Sequence, residues 1–148
     1  MNKEAVNDLN ELGEKYCTSA KVVDEGIEIE LTKEQRDNLI KRNNEFKEEL
    51  IKNYKDLGYT YKGDNGKENY TKLEFYYDEN LGPLEEMKVV SSSVSEYGLN
   101  QILLTNNPDW KVNVKIINCH NGKEVISFQI PTEEVISWSV EDWGNSYK

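Results

Sequence analysis

The sequence predicts an α+β domain: two N-terminal helices packed on a mainly antiparallel sheet of five to six strands. Three observations predict it. Apolar residues recur every three or four positions over residues 2–16 and again over 33–57. From Tyr59 onward the period falls to two. The segment Cys119-His120-Asn121-Gly122 then divides two alternating apolar runs in the manner of a hairpin. With 148 residues, 36 of them Leu, Ile, Val or Phe and another 12 Tyr or Trp, the chain has enough apolar surface for one modest core, and residues 1–148 read as a single domain.

The first helix carries Ala5, Val6, Leu9, Leu12 and Tyr16 on one stripe, with Gly13 weakening its last turn. Gly26–Leu31 alternates strictly, so Ile27, Ile29 and Leu31 share one face of a strand and Glu28 and Glu30 face water. The second helix starts at a capping box, Thr32-Lys33-Glu34-Gln35. It continues through Leu39, Phe46, Leu50, Tyr54 and Leu57, with Asn43 as a polar interruption, and stops at Gly58, where a left-handed cap suits glycine. Tyr59–Tyr61 and Tyr70–Tyr77 read as strands around Gly63-Asp64-Asn65-Gly66, and turns follow at Asn80–Pro83 and Asn106–Asp109. Between them lie Leu84–Ser92 and a short apolar run, Gln101–Thr105.

For the last hairpin the hydrophobic pattern selects the register. A two-residue Asn-Gly turn would put Val112, Val114 and Ile116 on the opposite face from Ile126, Phe128 and Ile130. A three-residue loop, His120 to Gly122, pairs Ile116 with Ile126, Val114 with Phe128 and Val112 with Ile130, with Gly122 at the positive-φ position. The tail, residues 132–143, carries two signals. Pro131-Thr132-Glu133-Glu134 resembles a helix start, but Ile136, Trp138 and Val140 alternate with polar residues, and the strand is the favoured reading.

Composition excludes several function classes. Twenty-eight acidic against 18 basic side chains give a net charge of -10, and mean hydropathy is -0.81. That charge repels phosphate backbones and anionic membranes, so neither nucleic acid nor membrane is an expected partner. No apolar stretch is long enough for a membrane helix, the N-terminus has no export signal, and two cysteines make no disulfide framework. The expected location is cytoplasmic, and the expected state a monomer or weak homodimer.

No motif fixes a chemistry, and neither a catalytic residue, a cofactor nor a metal is expected. Cys119-His120 invites a nucleophile–base reading, but adjacent strand residues point to opposite faces and His120 falls in the loop, so the pair reads as turn filler. Two cysteines 102 residues apart and one histidine lack zinc spacing. Gly63–Asn69 lacks the alternating acids of a calcium loop and reads as a hairpin turn. Glu28 and Glu30 are spaced as a glycosidase pair could be, but they read as solvated strand acids. No phosphate-binding glycine motif occurs.

Charge placement says more. Residues 1–62 carry a net -3 and residues 63–148 a net -7. Two windows contain no basic residue: Leu73–Met87, with Glu74, Asp78, Glu79, Glu85 and Glu86, and Glu124–Tyr147, with Glu124, Glu133, Glu134, Glu141 and Asp142. Each also holds aromatics, Tyr76 and Tyr77 in the first, Trp138 and Trp143 in the second. Aromatic anchors within a charged rim are the anatomy of a protein–protein hot spot. The expected partner-binding set is therefore Tyr76, Tyr77, Asp78, Glu79, Glu85, Glu86, Glu133, Glu134, Trp138, Glu141, Asp142 and Trp143.

In length, acidity, composition and lack of motifs, with the acidic aromatic segments Asp78-Glu79 and Trp138-Ser139-Val140-Glu141-Asp142-Trp143, the chain resembles the small cytoplasmic immunity proteins of bacterial polymorphic toxin systems. The resemblance is one of type and carries over no residue roles. It implies an antitoxin that neutralises a cognate, basic toxin domain by steric and electrostatic blocking. Another acidic binding module, such as a phage-encoded inhibitor or nucleic-acid mimic, is the alternative, with a small enzyme behind it.

Overall fold

The computed structural model describes residues 2–55, 60–64, 66–78 and 83–148, without the side chains of 50, 51, 53–55 and 83–87. Leu57, Gly58 and Tyr59, and the side chains of Leu50 and Tyr54, assigned above to a stripe, a cap and a strand start, lie outside what is described. The described residues form an α+β arrangement of four helices and two sheets, one of two strands and one of four. They gather into two compact units, residues 1–45 and 46–148.

In the first unit, α1 (Asn2–Glu11) stops just short of Gly13, whose φ of 80° glycine adopts without strain. It ends earlier than its apolar stripe suggests, and Tyr16 lies beyond it. β1 (Ser19–Val23) and β2 (Gly26–Glu30) pair antiparallel, with Ala20 opposite Ile29 and Val22 opposite Ile27. The sequence marked β2 and missed β1, although Val22-Val23 followed by Asp24-Glu25-Gly26 is a strand running into a turn. Val6, Cys17 and Ala20 form a small core, with Leu9, Ile27, Ile29 and Leu31 packed against it.

α2 (Lys33–Lys55) begins with the expected capping box: Gln35 N–H donates to Thr32 Oγ1 at 3.1 Å and Thr32 N–H to Gln35 Oε1 at 2.8 Å. Among its described side chains the buried ones are Gln35, Leu39, Asn43 and Lys47, a strict every-fourth stripe that is mostly polar, and Phe46 is exposed instead of buried.

The second unit is built on a four-stranded sheet in the order β3 (Thr60–Gly63), β4 (Lys72–Tyr77), β5 (Val112–Asn118), β6 (Glu124–Ile130). β3 and β4 form the expected hairpin; in its connection the Asp64 carboxylate accepts from the Thr71 N–H at 2.8 Å. β5 and β6 pair in the expected register, Ile116 with Ile126, Val114 with Phe128 and Val112 with Ile130. The turn itself differs. Ile117 pairs with Glu124, leaving Val125 as a bulge, and Asn118 accepts from Gly122 N–H at 2.9 Å, so the loop is Cys119–Gly122 and not three residues. Gly122 takes the expected positive φ, 73°.

The larger sheet is mainly antiparallel as expected, but the reading of one sheet of five to six strands is corrected in two ways. Leu84–Ser92 and Gln101–Thr105, read above as separate segments, belong to one helix, α3 (Pro83–Thr105), and β4 pairs parallel with β5 across it. The helix was hidden because its buried face includes Ser93, Gly98, Asn100 and Gln101 beside Val89, Val90, Val94 and Tyr97. Gln101 and Gly98 have visible uses. Gln101 accepts from Lys111 N–H at 3.0 Å and donates to Lys111 O at 2.9 Å and Tyr70 O at 3.3 Å, tying the helix to both strand entries. Gly98 makes room for Trp110: a Cβ there would stand 2.6 Å from the indole. The parallel pair escaped notice because only one face of it is sealed. Leu73, Phe75, Tyr77, Val112, Val114 and Ile116 are buried, while Lys72, Asn113 and Lys115 are exposed. That alternation is usually the mark of an antiparallel sheet.

The tail is the other correction. Residues 131–139 form no strand, and α4 (Val140–Ser146) follows. A second capping box decides it: Ser139 Oγ accepts from Asp142 N–H at 3.2 Å and Asp142 Oδ2 accepts from Ser139 N–H at 2.6 Å. Among the described residues no helix is long and apolar enough to cross a membrane.

Candidate functional site

Parallel pairing brings the C-terminal ends of β4 and β5 side by side, with Tyr77 opposite Asn118. The next residues on each strand therefore meet. Asp78 Oδ2 lies 2.8 Å from His120 Nε2, and one ligand atom each of Asp78, Cys119 and His120 all fall within 4.8 Å of one another. The strand ends of parallel sheets are where α/β folds commonly place their sites, since the loops there are free to carry chemistry.

The turn that presents Cys119 and His120 is fixed on several sides. Cys119 N–H donates to Tyr77 O at 3.0 Å, and the buried Asn118 accepts from His120 N–H through Oδ1 at 2.9 Å. Asn118 Nδ2 donates to Ser146 Oγ at 2.9 Å, and Ser146 Oγ donates to Trp143 O at 2.6 Å. Asn121 Nδ2 donates to Ser146 O at 2.9 Å. So α4 braces the loop. Alternation across a strand does not apply in a turn, which is why Cys119 and His120 can serve one cluster although the sequence argument set them apart.

Burial, then the negative charge of Asp78, push the Cys119 thiol above its usual range. That works against a thiolate nucleophile at neutral pH. The cluster is open: Cys119 and His120 are exposed and Asp78 is half-buried.

A second polar group lies inside the residues 46–148 unit. Lys47 is 1% exposed, with its ammonium 4.8 Å from the Tyr97 ring centre and 5.4 Å from that of Tyr61. Tyr61 donates to Glu48 at 2.9 Å. Burial lowers the Lys47 pKa against the pull of Glu48, Glu96 and Asp64. Burial also raises Glu96 to about 7, with Lys47 opposing the shift, and among the described residues Glu96 Oε2 is buried without a hydrogen-bond partner. Gly63 belongs to this packing, since a Cβ there would come within 1.8 Å of the Tyr97 hydroxyl. Nothing in the spacing of Lys47 and Glu96 announces that their charges influence each other; only the fold creates it.

The expected partner-binding residues disperse. Tyr77 and Trp143 are buried, so their rings are core and not anchors for a partner. Tyr76 is half-buried, donating to Glu74 at 3.0 Å under the Lys62 ammonium. Asp78 belongs to the strand-end cluster and Asp142 to a helix cap. Trp138 is half-buried, and Glu133, Glu134 and Glu141 are exposed. Glu79 and the side chains of Glu85 and Glu86 lie outside what is described. The residues missed are Val135 and Val140, exposed by 92% and 89% among those glutamates. Their signal was present in the sequence: single apolar residues in an acidic stretch, of which the strand reading turned Val140 inward with Ile136 and Trp138 and gave Val135 no role. The chain matches no protein-family model, no curated protein and no solved structure.

Proposed function

We propose that the chain is an antitoxin of the immunity-protein kind, which binds a basic toxin domain through residues 133–141 and blocks it by occupying its surface. The observation that carries this reading is the pairing of Val135 and Val140, almost wholly exposed, with the exposed Glu133, Glu134 and Glu141, in a window with no basic residue from Glu124 to Tyr147. Apolar side chains gain most from leaving water, and a rim of one charge selects a partner of the other. The half-buried Trp138 adds one aromatic edge to the same nine residues. The carboxylates would steer encounter, so association should slow steeply with salt.

The test is to search the source genome for a toxin gene beside this one and to co-express that toxin's C-terminal domain with this chain. Wild-type chain should protect the cells. Val135→Asp with Val140→Asp, and separately Glu133→Lys with Glu134→Lys and Glu141→Lys, should each abolish protection with unchanged circular dichroism. Full protection by the charge-reversed chain, or none by the wild type, overturns the proposal.

A further inference from the structure

We infer that Asp78, Cys119 and His120 form a three-ligand site for a borderline-soft divalent metal ion, zinc being the best match. The donor set is the first reason. A thiolate, an imidazole and a carboxylate are together the chemistry of zinc, and an anionic sulfur and oxygen would balance its two charges. Magnesium and calcium prefer oxygen throughout and have little use for the sulfur.

Distance is the second. In a tetrahedral zinc centre the bonds are about 2.0 Å to nitrogen and oxygen and about 2.3 Å to sulfur, which puts the donor atoms roughly 3.3–3.6 Å from one another. Here the His120–Asp78 separation is 2.8 Å and no donor pair exceeds 4.8 Å. Both limits lie within about 1.5 Å of the tetrahedral spacing, so the donors are already gathered on the scale of one metal centre.

The third reason is that the backbone is already arrested. Cys119 N–H is held by β4, His120 N–H by the Asn118 amide, and Asn118 by Ser146 of α4. Donors held by hydrogen bonds on rigid elements lose little freedom when they bind a metal. The cluster faces solvent, so a fourth position stays open to water or to a donor from another molecule. A lone His–Asp pair would leave the adjacent thiol without a part; the metal site uses all three.

The probe is Co²⁺ added to the reduced full-length chain, followed by Zn²⁺ competition. One equivalent should produce the near-ultraviolet sulfur-to-cobalt band and the visible bands of a tetrahedral ion, and Zn²⁺ should remove both. Cys119→Ser should abolish the sulfur band and weaken binding at least 10-fold. His120→Gln and Asp78→Asn should weaken it about 10- to 100-fold, while Cys17→Ser should change nothing. Thermal melts provide a second readout, with Zn²⁺ raising the Tm of the wild type but not of Cys119→Ser. Asp78, Cys119 and His120 lie at a surface turn or strand end, so their variants should remain folded, while the buried Cys17 lies in the separate cluster with Val6 and Ala20 and its variant is checked by circular dichroism first. Absence of the sulfur band in the wild type, its survival in Cys119→Ser, or unchanged affinity in His120→Gln overturns the inference.

Discussion

In residues 1–45 the best-buried side chains of the small apolar cluster, Val6, Cys17 and Ala20, still show 5–9% of their surface. In the four-stranded sheet Leu73, Phe75, Tyr77, Val112, Val114 and Ile116 show 1% or less. The first unit offsets its thin core with amides that imitate backbone. Asn10 both donates to and accepts from Ala20, at 3.2 and 3.1 Å, and Gln35 donates to Glu14 O at 2.7 Å while accepting from Thr18 Oγ1 at 2.8 Å. Such bonds replace bonds to water and contribute about 1 kcal/mol each, whereas a buried aromatic ring contributes several times that. The first unit is therefore specified by direction and the second by volume.

The comparison can be broken most sharply at Phe75. Phe75→Ala should cost about 3–5 kcal/mol in urea unfolding, since the ring is wholly enclosed. A loss near 1 kcal/mol would show that the sheet core relaxes around the gap and is less dense than its exposures imply.

Glu96 tests the polar group within that second unit. Its pKa is raised from 4.5 to about 7 by burial. A carboxyl raised on folding stabilises the native state fully below pH 4.5 and loses that contribution as pH climbs through about 7. Glu96→Gln removes the loss. The variant should match the wild type near pH 4.5 and exceed it by on the order of 2 kcal/mol above pH 7. Urea midpoints across that range measure the gap; a constant difference would mean that the carboxyl is well solvated.

Thr32→Ala carries the smallest expected effect, about 1 kcal/mol, from the loss of one N-terminal hydrogen bond in the first unit. Amide exchange should detect it as faster opening at the start of α2, with β4 and β5 unaffected.

Much of this was legible in the chain, for reasons that particular residues make plain. The Thr32–Gln35 box and the β5–β6 register could be read because each depends on neighbours in sequence, and a register slip would have turned every apolar side chain to water. α3 could not be read because Ser93, Asn100 and Gln101 occupy positions where the pattern requires apolar residues, and the partners of Gln101 are supplied by distant backbone. The tail misled because the alternation of Ile136, Trp138 and Val140 outweighed Ser139 and Asp142, which are the actual start signal. The strand-end cluster was half visible. Cys119-His120 drew notice, but Asp78 is 42 residues away and only the unforeseen parallel pairing delivers it.

That parallel pairing also sets a schedule for biosynthesis. Leu73 pairs with Val114, so β4 leaves the ribosome about 40 residues before its inner neighbour exists. At about 5–20 residues per second this interval is roughly 2–8 s. Throughout it Leu73, Phe75 and Tyr77 lie on a strand that lacks its β5 neighbour, an open edge of the kind that chaperones recognise. Residues 1–45, whose strands and cap pair only with near neighbours, are free of that delay.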